Sequence, residues 1–177
     1  MKFNKEKFLK LLKERKILKN KSKLLKDYDE AKNAELINFI ILIEDQIFWE
    51  SLEEYIKILD LFVSKKIKLD QFFKQFCSLR SSNLNSSMIL EKKLEEAAFM
   101  GFPKSNKIDI NVNPKSCGFT KIISCMHSLL DICDPNVTFE MNLEHPELLY
   151  YRISEEYLRL IIKQDFIPQI ENYGDKS

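Results

Sequence analysis

Long stretches without glycine or proline constrain the fold of this chain more than any other feature. Three glycines and five prolines occur in 177 residues, whereas strands in an ordinary β fold need turn residues at frequent intervals. The stretches between them are rich in Leu, Ile, Lys, Glu and Phe, which suits helices. We therefore predict an all-α fold, and the apolar content of 45% is enough for a sizeable core.

Charge is distributed unevenly along the chain. Residues 1–26 contain eleven Lys and Arg against two acids, a formal charge of +9, so the remaining residues carry −8 to give the net charge of +1. This pattern indicates a basic segment attached to an acidic body.

Cysteine usage and hydropathy predict the compartment. Four cysteines are too few for the disulfide framework of a secreted protein in a chain of this size, so we expect a reducing compartment. No secretory signal is visible at the charged N-terminus. The apolar run 36–43 is far shorter than the roughly 20 residues that span a bilayer. We predict no membrane span, and a location in the cytoplasm or, if the gene is organellar, in the stroma or matrix.

Residues 3–18 predict a basic amphipathic helix whose apolar stripe is Phe8, Leu11, Leu12 and Leu18. One interpretation is a solvated helix that packs this stripe on the body. Others are a membrane-surface helix, an organelle transit segment, or a nucleic-acid-binding arm. The small apolar face counts against the membrane, and the lack of interleaved Tyr or Trp counts against RNA. For the nucleic-acid alternative, the candidate residues are Lys10, Lys13, Arg15, Lys16 and Lys19.

Helical periodicity continues through the middle of the chain. Between 29 and 50, Leu36, Ile40, Ile43 and Ile47 share one face, which we expect Ile37, Phe39 and Ile41 to widen. A second periodic segment covers 52–63, either as a bend of the same helix or as a separate one. The next helix is expected to begin near Asp70 and to pack Phe72, Phe73, Phe76 and Leu79.

Serine and asparagine interrupt the pattern at 81–87, where their side chains compete for backbone hydrogen bonds, so we predict a break there. Helix is expected to resume over 88–98, followed by a loop at 101–116. The predicted organisation is a basic N-terminal helix at 1–26, a helical extension at 27–50, and a four-helix bundle domain at 51–177.

Two helices, one from residue 119 to about 132 and one starting at Ser154, are joined by residues 131–156, which we call the acidic joint. It contains seven acids and one base, Arg152. Ser154 is a good N-cap, and the helix dipole stabilises acidic side chains in the first turn of a helix. This local role accounts for two of the seven acids, Glu155 and Glu156. The joint is either a solvated connection or a protein-binding surface with apolar anchors inside a charged rim. The candidate partner-binding residues are Asp131, Asp134, Glu140, Glu144, Glu147, Tyr150, Tyr151, Glu155 and Glu156.

Metal and catalytic sites are not predicted. Cys117, Cys125 and Cys133 recur every eight residues, but on a helix this spacing spreads them around the axis, and no C-x₂-C pair is present. We interpret these cysteines as buried structural thiols. Neither His127 nor His145 lies in a known catalytic motif. His127 can be aligned with Ser124 and Asp131, but this spacing is typical of surface hydrogen bonds on a helix. We predict a non-enzymatic protein without a cofactor.

From about residue 55 to 173 the order of segments resembles the bacterial self-protective colicin-like immunity family and similar small reading frames of organelle genomes. The similar parts are a helix ending in Phe62-Val-Ser-Lys-Lys-Ile67, an aromatic helix Asp70-Gln-Phe-Phe-Lys-Gln-Phe-Cys-Ser-Leu79, and a third helix that starts at Gly118-Phe119 and ends in Leu130-Asp-Ile-Cys-Asp-Pro135. The closing segment Ile153-Ser-Glu-Glu-Tyr-Leu-Arg159 completes the resemblance.

The resemblance implies an antiparallel four-helix bundle and a protein partner. Such immunity proteins bind a toxin nuclease, for example of a bacteriocin, and present carboxylates where nucleic-acid phosphates would lie. Asp131, Asp134, Glu155 and Glu156 match the family's acidic positions. Lys68 replaces the usual hydroxyl N-cap, and the first fifty residues have no counterpart in the family. The alternatives are a nucleic-acid-associated protein that uses the basic N-terminal helix and a helical organellar protein with another role.

Overall fold

The structure is a computed structural model that describes residues 2–101, 110–133 and 153–174. It confirms the all-α helical bundle, and no strand occurs within these three ranges. Within them the helices are α1 Lys5–Lys19, α2 Leu25–Tyr28, α3 Glu30–Glu50, α4 Leu52–Val63, α5 Leu69–Met100, α6 Phe119–Cys133, α7 Glu155–Ile161 and α8 Ile167–Gly174. A 3-10 turn, Pro114–Ser116, precedes α6, and a π-helical turn, Ile162–Phe166, joins α7 to α8.

The chain forms two compact units. Unit 1 consists of Met1–Ile47 and Ser82–Cys117, and unit 2 consists of Phe48–Ser81 and Gly118–Ser177. These units are divided differently from the sequence segments 1–26, 27–50 and 51–177, because residues 82–117 belong with the N-terminal part of the chain.

The core of unit 1 buries the predicted stripe of α1. Phe8, Leu11, Leu12 and Leu18 are all buried, and they form one cluster with apolar residues of α3 and with Leu94 of α5. Fully burying a large apolar side chain contributes about 1.5–3 kcal/mol. The first helix is therefore a structural part of unit 1.

Aromatic and charged contacts hold α1 against α3. The Phe8 and Phe39 ring centroids lie 6.0 Å apart in an edge-on arrangement, and Phe3 contacts both rings. The Lys32 ammonium donates a 2.7 Å hydrogen bond to the Glu14 carboxylate. This hydrogen bond raises the pKa of Lys32 despite some opposing desolvation.

The core of unit 2 is built on aromatic rings. Tyr55 of α4 contacts Phe48, Phe76 of α5 and Phe119 of α6, with centroid distances of 6.4, 5.5 and 6.1 Å. All four side chains are fully buried. Aromatic pairs add about 0.5–1.5 kcal/mol beyond area burial, so this cluster ties the end of α3 to α4, α5 and α6.

The C-terminal helical segment buries one residue in four. Leu158, Ile162, Phe166 and Ile170 are all buried, and each lies four positions after the previous one. In an α-helix such steps rotate the face by about 40° each. The π-helical turn Ile162–Phe166, with its i→i+5 bonds, places more residues in a turn and offsets part of this rotation.

The turns that follow two helices, α1 and α4, each contain a residue with left-handed backbone. Ser22 has φ 56° and Lys65 has φ 62°. After α1, the Lys23 amide donates to the Leu18 carbonyl, and after α4 the Lys66 amide donates to the Leu61 carbonyl, both at 2.9 Å. These are Schellman-type endings, which satisfy the last helix carbonyls and turn the chain sharply.

The structure corrects two expectations about the helices. The predicted break at 81–87 is wrong, because α5 is continuous from Leu69 to Met100. Asn83 and Ser87 are each only 6% exposed and fall on the helix face that also carries buried Leu94, so tertiary burial overrides their weak helix propensity. The expected wider apolar face of α3 is wrong at Ile37 and Ile41, which are exposed, and right at buried Phe39.

Where the sequence left a choice between one bent helix and two, the structure has two. Ser51 separates α3 from α4.

Candidate functional site

The described part of the acidic joint is limited to its two ends. At the first end Asp131 lies in the last turn of α6, and at the other Glu155 and Glu156 begin α7. The remaining predicted partner-binding residues lie outside the described residues: Asp134, Glu140, Glu144, Glu147, Tyr150 and Tyr151.

Asp131 is half-exposed and has a local partner. Its Oδ2 lies 3.3 Å from Nδ1 of His127, one turn earlier on α6. This is the surface contact between helix neighbours that the sequence predicted. The negative charge of Asp131 also adds to the effect of burial in raising the pKa of the Cys77 thiol on α5. Asp131 thus contacts His127 on its own helix and acts electrostatically on Cys77 of α5.

Glu155 and Glu156 have different environments although they are adjacent. The Ser154 hydroxyl accepts a 3.2 Å hydrogen bond from the Tyr157 amide, which confirms the predicted N-cap. Glu155 forms an ion pair with Arg159 one turn later, and its side chain is 35% exposed. Glu156 is exposed and forms no hydrogen bond or ion pair with the described residues. Glu156 is thus the carboxylate at this end that a partner can reach without breaking an internal ion pair.

The five basic candidates of α1 fall into two groups. Lys10 and Lys13 are exposed, and they do not line any cavity described in unit 1. Arg15, Lys16 and Lys19 line an open groove of about 600 Å³ in unit 1. The structure therefore brings together three of the five residues.

Arg15 and Lys16 are engaged inside unit 1. The Arg15 guanidinium contacts the Glu91 and Glu95 carboxylates of α5 at 2.7 Å each, and Lys16 lies 3.9 Å from Glu95. The Glu95 side chain is only 8% exposed. Arg15 thus fixes α1 to α5, and together with Lys16 it balances the charge of the two acids of the groove. Direct contact with nucleic acid is therefore less favourable for Arg15 than for Lys19.

The groove contains cations that the sequence-based list omitted. Lys23 and Lys26 follow α1 in the chain, and Lys92 comes from α5. The first two were visible as part of the basic segment 1–26. Lys92 could not be recognised from the sequence, because it is far from the basic segment in the chain. It lies at the groove only because α5 packs against α1. The six basic lining residues are Arg15, Lys16, Lys19, Lys23, Lys26 and Lys92.

The thiols and histidines in the described ranges do not form a metal site. No group of three His, Cys, Asp or Glu side chains there could hold a metal ion. Cys133 is buried as expected, but Cys117 and Cys125 are exposed, so the expectation of buried thiols is wrong for these two. Cys117 lies before α6, and within α6 the eight-residue step rotates the side chain by about 80°, which separates exposed Cys125 from buried Cys133. His145 lies outside the described residues.

No family model, curated protein or solved structure matches this chain. The resemblance to the colicin-like immunity family therefore stays a prediction from the quoted segments. As for membranes, no helix in the described ranges is both long and apolar enough to cross one.

Proposed function

We propose that this chain is a non-enzymatic protein-binding module of the colicin-immunity type, which masks a basic partner such as a toxin nuclease through the acidic joint. One observation supports this. The four helical segments that carry the resemblance are interrupted in sequence by residues 82–117, yet all four belong to unit 2, while the interrupting segment belongs to unit 1. A chain with an inserted segment can retain a binding unit if the insertion packs into a different unit.

The contacts of unit 2 are consistent with a rigid base for such a joint. Arg159 of α7 donates through Nη2 to the Ile67 carbonyl at 3.1 Å, and its guanidinium lies over the Phe62 ring. The N-terminal turn of α7, from which Glu156 projects, is thereby fixed to α4 and to the turn that follows it. A carboxylate held on a rigid helix loses little conformational entropy when it pairs with a basic partner.

The local environments divide the acidic candidates by role. Glu155 is engaged by Arg159, so we assign it a structural role at the start of α7. Glu156 and the half-exposed Asp131 are the described carboxylates that we assign to partner contact. Charge complementarity would speed association with a basic protein and would make it sensitive to salt.

A binding and inhibition experiment with a panel of purified colicin-type nuclease domains tests this proposal. We expect the full-length chain to inhibit at least one of them, with affinity falling as NaCl rises from 50 to 200 mM. The double variant Asp131→Lys with Glu156→Lys should weaken binding at least about tenfold. The matched control is Glu53→Lys with Glu54→Lys, which reverses two exposed acids of α4 in the same unit and should keep wild-type affinity.

Two results would contradict the proposal. One is inhibition that survives charge reversal at Asp131 and Glu156. The other is the absence of binding to every nuclease domain of the panel at 50 mM NaCl.

A further inference from the structure

We propose that the groove of unit 1 binds the phosphate backbone of a single-stranded nucleic acid. This site lies in a different unit from the acidic joint and would act independently of it. The groove is bounded by the end of α1, the chain leading into α2, and the second half of α5. Its volume of about 600 Å³ is within the range of about 300–1,000 Å³ that is usual for ligand sites.

The charge of the groove is positive because six basic residues and only two acids, Glu91 and Glu95, line it. Arg15 contacts both acids and Lys16 lies 3.9 Å from Glu95, so these two cations balance the two acids. The remaining cations are exposed, and they make no ion pair or side-chain hydrogen bond with the described part of the chain. We name them the groove lysines: Lys19, Lys23, Lys26 and Lys92. Like charges collected around one concavity repel one another, and an anionic ligand relieves this repulsion.

The backbone holds the groove lysines in place from three directions. Ser22 adopts left-handed backbone after α1, and the Lys23 amide donates to the Leu18 carbonyl, so the chain turns sharply between Lys19 and Lys23. Lys26 lies on the short helix α2, whose Leu25 is buried in the core of unit 1. Lys92 comes from the interior of the long helix α5.

Apolar side chains inside the groove favour a single-stranded nucleic acid over other anions. Leu24 is 54% exposed and Met88 is 68% exposed, and both line the groove among the lysines. A free phosphate or a duplex has no apolar face to offer them, because the bases of a duplex are stacked and paired. A single strand presents both phosphates and base faces, and single-strand sites combine a charged groove with aromatic side chains on which the bases stack. Tyr28, at the end of α2, is 66% exposed and supplies an aromatic surface near Lys26 in the chain.

Salt dependence gives a quantitative expectation. Four lysine–phosphate contacts on a single strand predict a slope of about −3 in log K against log salt concentration. The affinity of the full-length chain should thus fall about 50-fold between 50 and 200 mM NaCl.

The experiment measures fluorescence anisotropy of labelled 20-nucleotide oligo-U RNA, oligo-dT DNA and a 20-base-pair duplex with the full-length chain. Removing residues 1–26 is unsuitable, because α1 supplies Phe8, Leu11 and Leu12 to the core. The groove variant changes all four groove lysines to Gln. The control variant also removes four charges from exposed lysines of unit 1 outside the groove: Lys10→Gln, Lys13→Gln, Lys21→Gln and Lys93→Gln.

We expect both single strands to bind, the groove variant to lose nearly all the salt slope, and the control variant to keep most of it. Thermal unfolding followed by circular dichroism should give the same midpoint for both variants, since all eight lysines are exposed. An equal loss of the salt slope in the two variants would mean that the whole basic surface attracts the nucleic acid, which would overturn the proposal. Tighter binding of the duplex, or of polyglutamate used as an acidic protein probe, would also overturn it.

Discussion

The guanidinium carbon of Arg159 lies 3.9 Å from the centroid of the Phe62 ring. The Phe72 ring stacks on Phe62 at 4.2 Å with an interplanar angle of 6°, so Phe62 has a cation on one face and an aromatic ring on the other. Arg159 is 11% exposed and also holds Glu155 and the Ile67 carbonyl. This one side chain connects α7 to α4 and to the turn that leads into α5.

Replacing Arg159 with lysine should destabilise the protein although the charge is kept. A lysine ammonium lacks the planar group that stacks on Phe62 while donating to two acceptors. We expect Arg159→Lys to lower the free energy of unfolding by about 1–3 kcal/mol, as judged by urea titration. The control is Lys163→Arg on the exposed side of the same helical segment, expected within about 0.5 kcal/mol of wild type. Equal stability of both variants would contradict the role assigned to Arg159.

Phe72 should be one of the most costly positions of unit 2 to truncate. It is fully buried and contacts both Phe62 and Phe76. We expect Phe72→Ala to cost about 3–5 kcal/mol of unfolding free energy, measured by denaturant titration, or Phe72→Leu if the alanine variant does not fold. Phe99→Ala, at a side chain 39% exposed, is the matched control and should cost far less. A similar loss at both positions would be inconsistent with the described core.

Glycine at position 65 should stabilise the protein. Lys65 has a φ of 62° at the end of α4, a conformation that costs a residue with a Cβ atom about 1 kcal/mol and costs glycine almost nothing. We expect Lys65→Gly to raise the free energy of unfolding by about 0.5–1 kcal/mol. Lys66→Gly removes the same charge from a position without positive φ and should not stabilise. If Lys66→Gly raised stability equally, loss of charge would be the explanation.

Alkylation of Cys77 should require a higher pH than that of an ordinary thiol. Burial, reinforced by the negative charge of Asp131, raises the pKa of Cys77 from the ordinary value of 9.0, which reduces the reactive thiolate. Peptide mapping by mass spectrometry after iodoacetamide treatment can follow each thiol, with exposed Cys125 as the internal control. Asp131→Asn should shift the Cys77 profile to lower pH and leave Cys125 unchanged. An unchanged Cys77 profile would exclude the influence of Asp131.

The same pKa shift links Cys77 to stability. A folded-state pKa above the unfolded-state value means that the neutral thiol favours the folded protein below pH 9. This contribution is lost as pH rises through the folded-state pKa, so the free energy of unfolding should fall on the alkaline side. Cys77→Ala should reduce that fall, which pH-dependent denaturant titration can measure.

The sequence was most informative where one physical signal acted locally. The stripe of α1 followed from apolar spacing, and the Ser154 N-cap followed from a hydroxyl before an acidic turn. The sequence-based prediction was wrong where tertiary packing determines the secondary structure. Asn83 and Ser87 weaken a helix in isolation, but in α5 they are buried within a continuous helix.

The candidate site shows the same division. Counting charges identified the basic segment, but it could not show that Arg15 is engaged by Glu91 and Glu95, residues about eighty positions later. Nor could it assign Lys92 to the groove, since that depends on how α5 packs against α1. Long-range partners of charged residues are set by the fold and leave no periodic pattern in the sequence.

The π-helical turn Ile162–Phe166 has a consequence for how related chains can be aligned. Removal of one exposed residue such as Gln164 would change the spacing of Leu158, Ile162, Phe166 and Ile170 from four, four and four to four, three and four. That spacing is the regular face of an uninterrupted α-helix, so the same four side chains could stay buried. A homologue one residue shorter here would keep an equivalent packing surface, and a comparison that forbids gaps within helices would misalign residues 165–174.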